Sequence, residues 1–481
     1  MVDTKPAIVI TGSAVGIGRE FVRLAAAEAP SKDMAVVMID RDQAGLEALH
    51  VELARTGIDA HAVPVDLTSL GAGDIVETAI ARHGLHCEIL VNNAGLSLVG
   101  PAAGNELTAQ LRLVDLHVIA LSDLTLRFLP GMIARRRGGI INVSSMGAYI
   151  PGPNMAIYNA TKRYVSLFTA ALVRESSGTG VRVCSLVPGK ARTGMWPANG
   201  EGGRDLIYRL PMISAHATAA AGWHGFKRGK TVVFPQLFFH LAALALHVVP
   251  TRAYLLLTAG LSGTPNDETA ASTTPEPAPK PAIVITGATS PFGRAFARLA
   301  AGQKKHVVLV DGAGGDLDRL AEALSARGTS VSPVAVDLAR RDAGACVESA
   351  LRERGLYGDV LVHGAQASLA GSIADLGRQA QLDLLAVNIR ALSDLTLRLL
   401  PGMVARRRGG VILFGAANGH GKGAAFQASR AYATWLGEAL ACETRKTGVN
   451  IGLSTAAPDA DPEETAVRAW RRLQAASAVS A

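Results

Sequence analysis

At 481 residues the chain is longer than one ordinary core organises, so two domains are expected. Apolar residues make up 49% of it and charged residues 18%, a balance that excludes an intrinsically disordered chain. The net charge of +8 is dispersed, and its densest runs, Arg135-Arg136-Arg137 and Arg406-Arg407-Arg408, end helical patterns, which argues against a nucleic-acid partner.

The opening "MVDTKPAIVITG" enters a strand at once, without a signal-peptide layout. The four cysteines (Cys87, Cys184, Cys346, Cys442) are scattered singly, which fits a reducing cytoplasm and no metal site. In the first half, the runs "AIVIT", "AVVMID", "HAVPVD", "EILVN", "GIINVS" and "VRVCSLV" alternate with longer amphipathic stretches. That alternation predicts an α/β fold, a doubly wound parallel sheet covered on both faces. Directly after the first strand stands Thr11-Gly12-x-x-x-Gly16-x-Gly18, with Ser13 and Ile17 in the same turn. Glycines there let the backbone approach a pyrophosphate, and the helix N-terminus offers it N–H groups and a positive dipole. Asp40 ends the second strand, placed to accept hydrogen bonds from an adenosine ribose. A 2′-phosphate would face that charge, offset in part by Arg41, so NAD is expected ahead of NADP.

Further along, "ALSDLTLRFLPGMIARRRGG" (120–139) returns as "ALSDLTLRLLPGMVARRRGG" (391–410), differing at two of twenty positions. The landmarks recur in the same order, so the chain is a tandem duplication. The segment 231–251 has no charged residue, and Pro235 and Pro250 bracket a helix of about fourteen residues, short of the ~20 that span a bilayer. It is expected to bury against its own domain or a partner subunit, with peripheral membrane contact the less favoured option. Residues 263–279, rich in Pro, Thr and Ala, read as a linker. Two Rossmann-like domains in tandem are therefore expected, at 1–262 and 280–481.

The landmarks of the first copy continue with Asp66 and Leu67 in "PVDLTS", "NNAG" (Asn92 to Gly95, with Ala94), "NVSS" ending at Ser145, Tyr158-x-x-x-Lys162, Pro188-Gly189 and Thr193. In that order and spacing the whole first copy resembles a short-chain dehydrogenase/reductase. The chemistry follows from the residue types. Hydride transfer to or from a carbonyl carbon needs a group that gives or takes a proton at the oxygen. Tyr158 can serve if its phenol, ordinarily near pKa 10, titrates closer to neutrality, and Lys162, one helical turn on, is expected to stabilise the phenolate. Ser145 can hydrogen-bond the reacting oxygen. The resemblance implies that Lys162 also holds the nicotinamide ribose, that Asn92 lies near the cofactor, that Asp66 contacts the adenine and that Thr193 touches the carboxamide. Leu67, Ala94, Gly95, Pro188 and Gly189 are implied to border the dinucleotide. One position departs from the family pattern. The family usually carries there an Asn that anchors a water in the proton relay; the second copy keeps it as Asn388, but the first has His117. His117 either substitutes for it, relays the proton itself near neutral pH, or packs without a role.

The second copy has lost its chemistry. Pro291 stands in place of Gly16, between the surviving Gly287 and Gly293, and "NNAG" has become "HGAQ" (363–366). Ala416, Phe426 and Arg430 occupy the serine, tyrosine and lysine positions. Phe has no ionisable proton. The resemblance also implies a use for an inactive copy, because the 120/391 helix and the Tyr–Lys helix commonly build the family's dimer contact. The expected protein is thus an intramolecular pseudo-dimer, with further homo-oligomerisation open. Its expected reaction interconverts an alcohol and a ketone or aldehyde on a small apolar substrate, using NAD or possibly NADP. A nucleotide-binding sensor with little turnover is the alternative.

Overall fold

The computed structural model describes residues 4–29, 33–150, 152–193, 212–236, 238, 279–303, 305–312, 314–373, 375–415, 423–454 and 460–479. Ala416, the linker at 263–278 and most of the apolar segment expected at 236–249 lie outside them. In the first copy the strands are β1 (Lys5–Thr11), β2 (Ala35–Asp40), β3 (Ala60–Pro64), β4 (Leu85–Asn92), β5 (Gly138–Val143) and β6 (Val181–Leu186), followed by the short β7 (Ala191–Arg192), β8 (Ile213–Ser214) and β9 (Val232–Val233). The helices are α1 (Gly16–Glu28), α2 (Gln43–Ala54), α3 (Ala72–Arg82), α4 (Leu107–Val114), α5 (Leu121–Ala134), α6 (Ala156–Glu175) and α7 (Ala215–Lys227). The second copy repeats them as β10 (Lys280–Thr286), α8 (Pro291–Ala301), β11 (His306–Asp311), α9 (Gly315–Ser325), β12 (Val331–Ala335), α10 (Ala343–Glu353) and β13 (Leu356–His363). It continues with α11 (Arg378–Leu385), α12 (Leu392–Ala405), β14 (Gly409–Phe414), α13 (Ala424–Glu443), β15 (Val449–Ser454) and α14 (Pro462–Val479).

Both sheets are parallel and doubly wound, in the orders β3-β2-β1-β4-β5-β6-β9 and β12-β11-β10-β13-β14-β15. The order of strand addition reverses between β1 and β4, and that switch point opens a crevice at the strands' carboxyl ends. Because helices cover both faces, the central strands are apolar on both, as in Ile8, Val9 and Ile10. The copies also share a register shift, between Ala7 and Ile8 on β1 and between Ala282 and Ile283 on β10. A π-helical turn joins α4 to α5 (Asp115–Ala120), and another joins α11 to α12 (Ala386–Ala391). Such turns change which residues of a long helix face inward. In the first copy α7 packs on α1, with Trp223 buried against Phe21. In the second, α14 follows β15 closely and packs on α8 instead.

One apolar cluster runs through both copies, because α6 and α13 pack against each other. Tyr164 and Tyr432 lie at matching places in it, each hydroxyl 2.7 Å from a serine (Ser122, Ser393). Polar contacts frame this packing. Buried Asp115 pairs with Arg390 at 2.9 Å and Arg341 at 3.3 Å, Asp123 pairs with Arg378, and Arg163 stacks 4.1 Å from the Trp435 ring centre.

Candidate active site

The crevice at the β1/β4 switch point is a cleft of about 290 Å³. Its floor is the turn from β1 into α1. Gly12 has φ +67°, and a Cβ there would stand 2.8 Å from the Ala94 Cα; Gly16 has φ +58°, and its Cβ would press on Thr193 at 3.1 Å. Both glycines and Ile17 line the cleft. Gly18 does not: its Cβ would fall 1.8 Å from the Gly12 carbonyl oxygen, so its bareness lets α1 close on the turn. The α1 N-terminus has no side-chain cap and no acidic residue in its first turn. Its leading amides are therefore left for an anion, and a dinucleotide pyrophosphate fits this cradle.

Two residues expected at the cofactor do not line the cleft. Ser13 is fully buried: its hydroxyl donates to the Ile10 carbonyl at 2.6 Å and accepts from Ile39 N at 3.0 Å, latching the turn to β2. Asn92 faces the sheet interior, donating to Thr125 Oγ1 at 3.1 Å and Asn142 Oδ1 at 2.9 Å. Adjacent strand residues point to opposite sides, so the next residue, Asn93, lines the cleft and donates to the Thr11 carbonyl at 2.9 Å.

At the far end stand Asp40 and Arg41, then Asp66 and Leu67. Asp40 accepts from Ala14 N at 2.9 Å and Asp42 N at 3.1 Å, which fixes its carboxylate at the rim. Asp66 accepts from Thr68 N (2.9 Å) and its hydroxyl (2.8 Å), and pairs with Arg112 at 2.7 Å. Burial pushes its carboxyl up, but the Thr68 bonds and the two arginines outweigh this and hold it below its ordinary value. Arg112 was not legible in the sequence, since nothing in the α4 pattern singles it out.

The chemical end gathers Ser145, Tyr158 and Lys162, with Ala94, Gly95, Pro188, Gly189 and Thr193 around them. Ser145 caps a short turn, accepting from Gly147 N at 3.2 Å, and its hydroxyl bonds the Tyr158 phenol. Lys162 Nζ donates to the Val143 carbonyl at 3.0 Å and lies 5.9 Å from the Tyr158 ring centre. The expected low phenol pKa is not what this pocket produces. Burial pushes Tyr158 above its ordinary value, with the Ser145 bond pulling back, while burial draws Lys162 down to about 7. Both effects have one cause: the two side chains are buried, so each neutral form is favoured.

His117 is buried on the π turn with its ring edge against Tyr158, 5.8 Å between centres. Its Nε2 accepts from Leu96 N at 3.0 Å, which puts the proton on Nδ1 as donor to Thr161 Oγ1 at 2.9 Å. Both nitrogens are thus committed. Burial, and then the Lys162 cation, hold its pKa well below the ordinary value. A proton relay through this ring near neutral pH is therefore corrected. Asn388 makes the matching bonds in the second copy, accepting from Ala367 N at 2.8 Å and donating to Ser429 Oγ at 3.2 Å.

In the second copy the turn is closed. Ser290 caps α8 by accepting from Gly293 N at 3.0 Å, and Pro291 at the first helical position contributes no N–H. Arg430 donates to Gln366 Oε1 at 2.6 Å, and the space beside them, also lined by His363 and Asn388, is about 10 Å³.

A family model described as short chain dehydrogenase matches residues 6–202 and again 281–459. The very-long-chain 3-oxoacyl-CoA reductase of Homo sapiens is 32% identical over 185 residues, covering 37% of this chain and 57% of that protein. The chain thus spans little more than half the length of this curated relative. An uncharacterized short-chain type dehydrogenase/reductase of Sinorhizobium fredii is 35% identical over 205 residues, 41% of this chain and 76% of its own. Among solved structures, a short-chain dehydrogenase from Sphingobium yanoikuyae in complex with NADPH has a TM-score of 0.44 and 28% identity, covering 55% of this chain and 99% of that one.

Proposed function

Because the chain belongs to the short-chain dehydrogenase/reductase family, we propose that it is an NAD(P)-dependent oxidoreductase whose first domain carries all the chemistry and whose second serves as a silent packing partner. The reaction is the interconversion of an alcohol and a ketone or aldehyde on an apolar substrate. The observation that carries this reading is the contrast between the copies. Ser145, Tyr158 and Lys162 share one cleft of about 290 Å³, whereas Phe426 stands where the tyrosine would be and, among the described residues, the cavity beside Arg430 is about 10 Å³.

The nicotinamide cofactor, when bound, supplies or takes the hydride. The bare turn at Gly12 and Gly16 and the uncapped α1 N-terminus would hold its pyrophosphate. Asp40, fixed at the rim, favours a ribose hydroxyl over a 2′-phosphate, which supports NAD as the preferred form. Ser145 and Tyr158 orient the substrate oxygen between two hydroxyls, and Tyr158 gives or takes the proton there. Lys162 is near enough to stabilise the developing phenolate. The apolar preference is supported by Met146, Val187 and Tyr149, which pack together beyond Ser145, and by the acyl substrate in the human relative's name. The packing role of the second domain is supported by the α6–α13 contact. Four free cysteines are consistent with a cytoplasmic enzyme.

The test is turnover of a ketone panel with NADH or NADPH, followed at 340 nm, for the full chain and for Tyr158→Phe. The substitution is expected to lower kcat by roughly 10²–10⁴ while leaving dinucleotide affinity intact. Tight dinucleotide binding without Tyr158-dependent turnover would overturn the enzymatic reading in favour of a nucleotide sensor.

A further inference from the structure

We propose that Glu443, the last residue of α13 in the inactive domain, is a positioning residue for the first domain's cleft, tying together the two segments that lead to Leu96 and Tyr158. Its Oε2 accepts from Ala102 N at 2.7 Å, and its Oε1 accepts from Asn154 N at 2.8 Å. Ala102 belongs to the segment leaving β4, which lines the cleft from Asn93 to Leu96. Asn154 stands four residues before Tyr158, in the left-handed region at φ +64°. The Asn154 carbonyl in turn accepts from Gly100 N at 2.8 Å, so the two segments are also joined directly. Glu443 thus bridges both sides of the approach to the phenol from outside the catalytic domain.

The residue type fits the task. Two amides converge from separate segments, and a carboxylate offers an acceptor oxygen to each, whereas an amide side chain offers one. The group is buried: burial lifts its carboxyl to about 7, against the downward pull of the two amides. The repeat carries one arm of the same device in reverse. Glu175, the matching last residue of α6, accepts from Ile373 N at 2.5 Å, and Ile373 matches Ala102. Only the Glu443 arm reaches a cleft that contains a tyrosine and a lysine.

The inference rests on the first domain being the catalytic one, so its test includes a readout that needs no turnover. Hydrogen–deuterium exchange is measured on the full chain and on Glu443→Ala and Glu443→Gln, with peptides covering 96–104 and 152–158. In Glu443→Ala both segments are expected to exchange roughly ten-fold faster or more, as for loss of a charge-assisted hydrogen bond, with the rest of the first domain unchanged. Glu443→Gln, with one acceptor left, is expected to fall between. With whichever ketone of the panel turns over, KM should rise and kcat fall while the NADH dissociation constant stays within about two-fold. Unchanged exchange in both segments overturns the inference, and so does a uniform rise across the chain. If no ketone turns over in the parent protein, the proposed function fails while the exchange result still decides the role of Glu443.

Discussion

Replacing His117 separates a hydrogen-bonding role from a titrating one. The ring bridges Leu96 N and Thr161 Oγ1, and Asn388 makes the equivalent bridge in the second copy. His117→Asn should therefore keep both bonds and change stability by no more than about 1 kcal/mol. His117→Leu removes the acceptor for Leu96 N and should cost about 1–3 kcal/mol. In a domain of this size that is roughly 2–4 °C of Tm per kcal/mol. Urea and thermal melts measure the stability arm. The second arm is the pH dependence of kcat/KM between about pH 5.5 and 8.5. Burial, and after it Lys162, hold the ring's pKa well below its ordinary value, so neither variant should move an inflection near pH 6.5. The reasoning is refuted if the parent protein has such an inflection and His117→Asn loses it. It is also refuted if His117→Leu is as stable as the parent.

Two further outcomes follow from buried charges. Lys162 sits at about 7 in the fold against an ordinary 10.5, so the folded chain binds fewer protons than the unfolded chain between those values. Its contribution to stability therefore rises with pH above about 7 and is lost as pH falls through it, by at most about 1.4 kcal/mol per pH unit. The difference in unfolding free energy between the parent and Lys162→Met should grow from pH 7 to pH 8.5; a flat or falling difference would exclude it. Asp115→Ala leaves the nearly buried Arg390 without its carboxylate partner and should cost about 3 kcal/mol, the lower end of the range for a broken buried pair because Arg341 is partly exposed. Asp115→Ala with Arg390→Leu should recover much of that loss in thermal melts, whereas additive losses would show that the pair is uncoupled.

Local spacing made much of this protein readable from its amino acids alone. Apolar runs separated by amphipathic stretches specify strands and helices, and a strand, a glycine turn and a helix in succession specify a phosphate cradle. Tyr158 and Lys162 are one helical turn apart, so their proximity is a property of the helix. The departures of the second copy are equally local, since Phe426 lacks an ionisable proton and Pro291 lacks an N–H in any fold. What needed the tertiary structure was every question of partner and burial. Whether Asn92 or Asn93 meets the cleft depends on how the end of β4 is turned, and Ser13 faces inward because β2 supplies Ile39 N. The protonation of Tyr158, Lys162 and His117 depends on how deeply the fold buries each side chain, which no spacing encodes. The reach of Glu443 to Ala102 and Asn154 spans about three hundred residues of chain and exists only because α6 and α13 pack together. Residue chemistry and short-range periodicity are carried by the chain itself; hydrogen-bond partners and local dielectric are set by which distant segments folding brings into contact.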